Sequence, residues 1–147
     1  MRTGLIRIFL AEDNSADVLL IEEALKRQSL AYEIDHYETA EEAVRAASAC
    51  GHGDAPIPDL FLLDYNLPGG QGSDVLAATS ANPRLAGVPK AILSSFLRPS
   101  ELRQAQEMGA SCFIAKPANL KDFLKDVGEK VTELLKTGGP AAVKAGQ

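Results

Sequence analysis

Short apolar runs alternate along the chain with longer stretches in which apolar residues recur every three or four positions, the signature of strands and helices in turn. Leu5-Ile6-Arg7-Ile8-Phe9-Leu10-Ala11 reads as a first strand that ends in Glu12-Asp13-Asn14. Asn14 is placed to cap a helix with Asp17 in its first turn, where a negative charge suits the helix dipole. Val18, Leu19, Ile21, Ala24 and Leu25 give that helix a wide apolar face through about Gln28. Residues 31–37 form a second strand in which Glu33 and Asp35 alternate with Tyr32, Ile34 and His36, a polarity that suits a sheet edge. Thr39 and Glu42 have capping-box spacing and open a helix through Ala47, which gives way to the turn-rich loop from Cys50 to Pro58.

The third strand, Leu60-Phe61-Leu62-Leu63, is an unbroken apolar run closed by Asp64 and then interrupted by Pro68-Gly69-Gly70. A modest helix over residues 73–80 and a connection rich in turn formers over 82–89 lead to Lys90-Ala91-Ile92-Leu93-Ser94, the fourth strand. Pro99 and Gly109 bracket another helix. Ser111-Cys112-Phe113-Ile114-Ala115 is the fifth strand, ended by Lys116-Pro117. The last helix, over residues 119–136, carries Leu120, Phe123, Leu124, Val127, Val131 and Leu134 at amphipathic spacing. One domain over residues 1–137 is expected, followed by a flexible tail over 138–147.

Five strand-helix alternations with nearly continuous apolar strands describe an α/β fold, a parallel sheet covered by helices on both faces. Right-handed crossovers restrict this to doubly wound forms, and the flavodoxin-like five-stranded order 2-1-3-4-5 places the polar second strand at an edge.

A length of 147 residues with 46% hydrophobic content suits a single core. Cys50 and Cys112 lack metal-binding or redox-motif spacing and read as free thiols. The chain shows no signal-peptide pattern and no apolar run of about 20 residues, so a cytoplasmic protein without a membrane span is expected. A net charge of −5 without a Lys/Arg cluster argues against DNA binding and favours protein partners.

The strand ends carry the chemistry. Parallel strands bring their carboxyl ends to one edge, which gathers Glu12, Asp13, Asp64, Ser94 and Lys116 around one pocket. Each has an ordinary structural explanation taken singly, as a dipole partner, a turn residue or a solvated charge. Together they supply crowded carboxylates that call for a hard cation such as Mg²⁺, an ammonium, and a hydroxyl donor. That set suits phosphoryl transfer onto Asp64. His36 and His52 read as a strand side chain and a solvated loop residue, away from the pocket edge. No phosphate-binding glycine loop and no GxSxG elbow is present.

Ala11-Glu12-Asp13-Asn14, Leu63-Asp64-Tyr65-Asn66-Leu67-Pro68, Leu93-Ser94-Ser95 and Phe113-Ile114-Ala115-Lys116-Pro117 together resemble the receiver domain of two-component response regulators over nearly the whole chain. The resemblance implies that Asp64 accepts a phosphoryl group from a sensor histidine kinase. It also implies that Glu12, Asp13, Asp64 and the backbone carbonyl of Asn66 hold Mg²⁺, and that Ser94 and Phe113 are switch positions with Lys116 as the family's lysine. Within receivers, residues 17–25 and 116–120 look like the stand-alone regulators paired with bacterial and cyanobacterial phytochromes, which implies a phytochrome-type kinase and a homodimer through the face near strand five and the last helix. Such a protein is no enzyme in the ordinary sense: it catalyses its own phosphotransfer and autodephosphorylation and works through protein contacts. Phe113 replaces the commoner Tyr, and Phe96 stands two residues past Ser94, where an attacking water should approach. The alternatives are a receiver-like binding module that does not cycle phosphate and an aspartate-based phosphohydrolase.

Overall fold

The computed structural model describes residues 5–137; the expected tail over 138–147 lies outside the described residues. Five strands, β1 (Ile6–Ala11), β2 (Tyr32–Tyr37), β3 (Leu60–Asp64), β4 (Lys90–Ser94) and β5 (Cys112–Ala115), alternate with five helices. These are α1 (Ser15–Arg27), α2 (Ala40–Ala49), α3 (Gly72–Ser80), α4 (Pro99–Glu107) and α5 (Leu120–Thr137). The strands form one parallel sheet in the order β2-β1-β3-β4-β5, the order read from the sequence.

Consecutive residues of a strand point to opposite faces, so each central strand feeds two cores. Phe9, Phe61, Leu63 and Ile92 pack toward Ala43, Ala47, Val75, Leu76 and Ala105 of α2, α3 and α4. Ile8, Leu10, Leu62, Leu93 and Ile114 pack toward Ile21 and Leu25 of α1 and Phe123, Val127 and Val131 of α5. Every residue of β3 and β4 is buried, which explains their unbroken apolar runs. Edge strand β2 has no buried residue, and its acids pair inward with Arg7, which reaches Glu33 at 3.1 Å and Asp35 at 2.8 Å.

Several local expectations are refined. Leu19 and Leu120, assigned to apolar helix faces, are 67% and 58% exposed. The Thr39 hydroxyl accepts from the Glu42 N–H at 3.1 Å, but the Glu42 carboxylate takes the Glu38 N–H instead of closing a reciprocal box. After β3 the chain forms a small antiparallel ladder, Asn66–Leu67 with Gly70–Gln71, turning at Gly69 with φ +80°. The turn-rich connection before β4 holds a short 3-10 helix, Pro83–Leu85. Cys50 and Cys112 are free thiols, and among the described residues no helix is long and apolar enough to cross a membrane.

Candidate functional site

Four strand ends and one helix start build the site. β1 ends at Ala11, so Glu12 and Asp13 fall in the turn before α1; Asn14 caps that helix by accepting from the N–H groups of Ala16 and Asp17. β3 places Asp64 as its last residue, β4 places Ser94, and Lys116 follows β5 directly. The backbone under Asp64 is tightly fixed. Gly72 opens α3 against it, with its N–H donating to the Tyr65 carbonyl at 2.7 Å, and a Cβ at Gly72 would stand 2.6 Å from the Asp64 carbonyl oxygen.

An open cleft of about 510 Å³ results, lined by Glu12, Asp13, Asn14, Asp17, Asp64, Asn66, Ser94, Ser95, Phe96 and Lys116. Every site residue expected on the strand ends lines it, and so does Asn66; Phe113 stands apart, half-buried against the α2/α3/α4 core. Phe113 lines a neighbouring hollow with Ser94, Phe96 and Leu97. The centre of the cleft is the Lys116 ammonium. It donates to Glu12 Oε2 at 2.6 Å, Asp17 Oδ2 at 2.8 Å and Asp64 Oδ2 at 2.9 Å. The other Asp64 oxygen accepts the Asn66 N–H at 3.0 Å, so both oxygens of this buried carboxylate are oriented. Ser94 turns its hydroxyl to the Phe96 backbone, donating to the carbonyl at 3.0 Å and accepting the N–H at 3.3 Å.

Glu12 is fully buried. Burial, with the nearby Asp64 carboxylate, pushes its carboxyl up to about 7 against the pull of Lys116. Burial alone would lower the Lys116 ammonium; its hydrogen bonds to Asp17, Glu12 and Asp64 outweigh that and hold it above its ordinary value. Lys116 is therefore a permanent cation, and the cleft still carries an excess of negative charge. Glu12, Asp13 and Asp64 each offer an oxygen within 4.8 Å of the others, a hard-oxygen group that suits a divalent metal.

Asp17 has a role that its place in the first turn of a helix does not announce. Asp17, assigned to the helix dipole, is an ion-pair partner of Lys116. His36 lies in β2 and outside the cleft lining, as expected, and its Nε2 stands 2.6 Å from the Glu12 backbone carbonyl oxygen. His52 is an exposed loop residue, as expected.

Residues 8–128 match the family model of the response regulator receiver domain. The chain belongs to the receiver family. The receiver is 33% identical over 121 residues to the response regulator Rcp1 of Synechocystis sp., covering 82% of each chain. Its structure superposes on the crystal structure of the phosphorylated cyanobacterial phytochrome response regulator RcpA with a TM-score of 0.82 at 33% identity, covering 91% of this receiver and 96% of RcpA. The Mn²⁺-bound form of Rcp1 is similar with a TM-score of 0.79 at 32% identity, covering 90% and 96%. Receivers are phosphoacceptors of two-component signalling, and the acidic group found here, together with the metal-bound relative, is in keeping with a divalent-metal site in this receiver.

Proposed function

We propose that this receiver accepts one phosphoryl group on Asp64 from a sensor histidine kinase of phytochrome type and passes the signal on through protein contacts. The observation that carries the reading is the Asp64 carboxylate at the carboxyl end of the central strand, oriented by the Lys116 ammonium at 2.9 Å and the Asn66 N–H at 3.0 Å inside an open acidic cleft. One Asp64 oxygen attacks the phosphorus of the kinase phosphohistidine; the P–N bond breaks as the P–O bond forms, and the electron pair leaves on the imidazole nitrogen. Lys116 offsets charge on the phosphoryl oxygens, and Ser94 lies on the same cleft, where its hydroxyl can leave the Phe96 backbone for a phosphoryl oxygen.

Glu12, Asp13 and Asp64, with the Asn66 backbone carbonyl, would hold Mg²⁺, which when bound neutralises the transferring group. Movement of Ser94 frees space toward the hollow that Phe113 lines, so the aromatic ring can turn inward as the active population grows. Autodephosphorylation returns the phosphoryl group to water. Phe96, 72% exposed on the cleft rim, shields that approach. The phytochrome pairing rests on the name of RcpA, a cyanobacterial phytochrome response regulator to which this receiver is similar, and on the resemblance of residues 17–25 and 116–120. The same group resemblance carries a homodimer through β5, an edge strand of the sheet, and α5.

Phosphotransfer profiling at short times tests the proposal. A phytochrome-type histidine kinase is expected to transfer label faster than unrelated kinases, adding the mass of one phosphoryl group in a Mg²⁺-dependent, hydroxylamine-sensitive linkage. Equal labelling of Asp64→Asn would sink it.

A further inference from the structure

A lysine ammonium has three N–H donors and no acceptor. In this receiver all three are directed at carboxylates, those of Glu12, Asp17 and Asp64. Two of these partners have a second place in the site, because Glu12 and Asp64 belong with Asp13 to the oxygen group that suits a divalent metal. Asp17 stands outside that group. Its carboxylate, 21% exposed, spends its charge on Lys116. Asp17 is the third residue of α1, its backbone N–H donating to the Asn14 side chain at 3.2 Å, and it lines the cleft beside Lys116.

Phosphorylation changes the demand on Lys116. Phosphorylation converts the Asp64 carboxylate, with one negative charge, into an acyl phosphate with about two, and puts three acceptor oxygens where Lys116 now meets the bare carboxylate. The Asp17 carboxylate is then both a like charge near the incoming group and a rival for the same donors. We infer that Asp17 is a counter-anion that competes with the phosphoryl group for the Lys116 ammonium and thereby limits how readily Asp64 is phosphorylated. Asp17 is a positioning residue acting through Lys116. The inference rests on Asp64 being the phosphoacceptor.

Titration of the intact receiver with beryllium trifluoride at saturating Mg²⁺, together with phosphotransfer kinetics from its kinase, tests it. Asp17→Asn keeps the size and the helix position but removes the charge. It is expected to tighten beryllium trifluoride binding by roughly three- to tenfold, the order of one screened charge contact, and to lower KM for phosphodonor more than it changes kcat. Asp17→Glu, which restores the charge, returns both toward the wild-type values. Glu23→Gln, which removes an exposed acid elsewhere on α1, leaves them unchanged and separates the Lys116 contact from a general charge effect. The sign is decisive, because damage to the fold or loss of a merely orienting anchor weakens binding. Unchanged or weaker binding by Asp17→Asn overturns the inference while leaving the phosphoacceptor reading intact. A wild-type receiver that neither binds beryllium trifluoride nor takes up a phosphoryl group overturns both.

Discussion

Two lysines of this receiver are almost equally buried and behave in opposite ways. Lys116, beyond the carboxyl end of β5, has a side chain only 9% exposed; Lys90, at the start of β4 on the opposite edge of the sheet, is buried. The Lys90 ammonium donates to the Leu85 carbonyl at 2.6 Å, and burial lowers its basicity. Lys116 meets three carboxylates, and its basicity rises. Burial by itself works against an ammonium in both places; the neighbours decide the outcome. Lys90 fastens the 3-10 turn before β4 by a dipole contact, whereas Lys116 is the fixed charge around which an acidic cleft is organised. The carboxyl edge of the sheet gathers an ammonium with three carboxylates, and at the amino edge a single buried ammonium is hydrogen-bonded to a backbone carbonyl.

The contrast breaks most visibly at Lys116. Lys116→Met leaves Glu12, Asp17 and Asp64 facing one another without their cation. Phosphoryl uptake, followed by intact mass, is expected to fall about a hundredfold or more, and metal-free stability at pH 7, followed by urea unfolding, to fall by about 3 kcal/mol. Uptake within a few-fold of wild type would remove Lys116 from the centre of the site.

The next effect is a pH dependence at Glu12. Its folded value of about 7 lies above the ordinary 4.5, so the folded chain holds a proton that the unfolded chain has lost across that window. The stability contributed by the protonated form is fully present below about 4.5 and is lost as pH rises through about 7. A divalent ion must displace the same proton. Its affinity should therefore weaken below pH 7 by up to about tenfold per unit, as read by calorimetric titration, and Glu12→Gln should flatten the slope. A slope that survives Glu12→Gln assigns the proton to another group.

The smallest effect belongs to the other lysine. Lys90→Met replaces a buried ammonium by an apolar chain of similar volume and leaves one carbonyl without its donor, so stability should shift by only about 1 kcal/mol. Phosphoryl uptake should be unchanged. Loss of uptake here would mean that the two edges of the sheet are not independent.

The features legible in the sequence were those that single residues announce. Apolar runs gave the strands, and the polar alternation of Glu33 and Asp35 placed β2 at an edge, where the structure pairs both acids with Arg7. The strand ends were visible because Asp64, Ser94 and Lys116 each terminate a run, and parallel order brings them to one cleft. Asp17 was hidden because an acid in the first turn of a helix already has a sufficient explanation, and only the path of the chain after β5 shows where Lys116 points. The His36 contact was hidden for a related reason: its partner is a backbone carbonyl, which no sequence pattern marks. Leu19 and Leu120 were placed on buried faces by spacing, but a period of 3.6 cannot tell the margin of a buried stripe from its centre.

The Gly72 contact has a mechanical consequence. On one flank of Asp64, helix α3 begins so close to the strand that an added methyl group would have no room; on the other, Ser94 is held by two local hydrogen bonds to the Phe96 backbone. The two walls differ in kind, one closed by backbone contact and one held by side-chain hydrogen bonds that a rotation of the hydroxyl exchanges. A group added at Asp64 finds no room on the Gly72 side and an exchangeable hydroxyl on the Ser94 side.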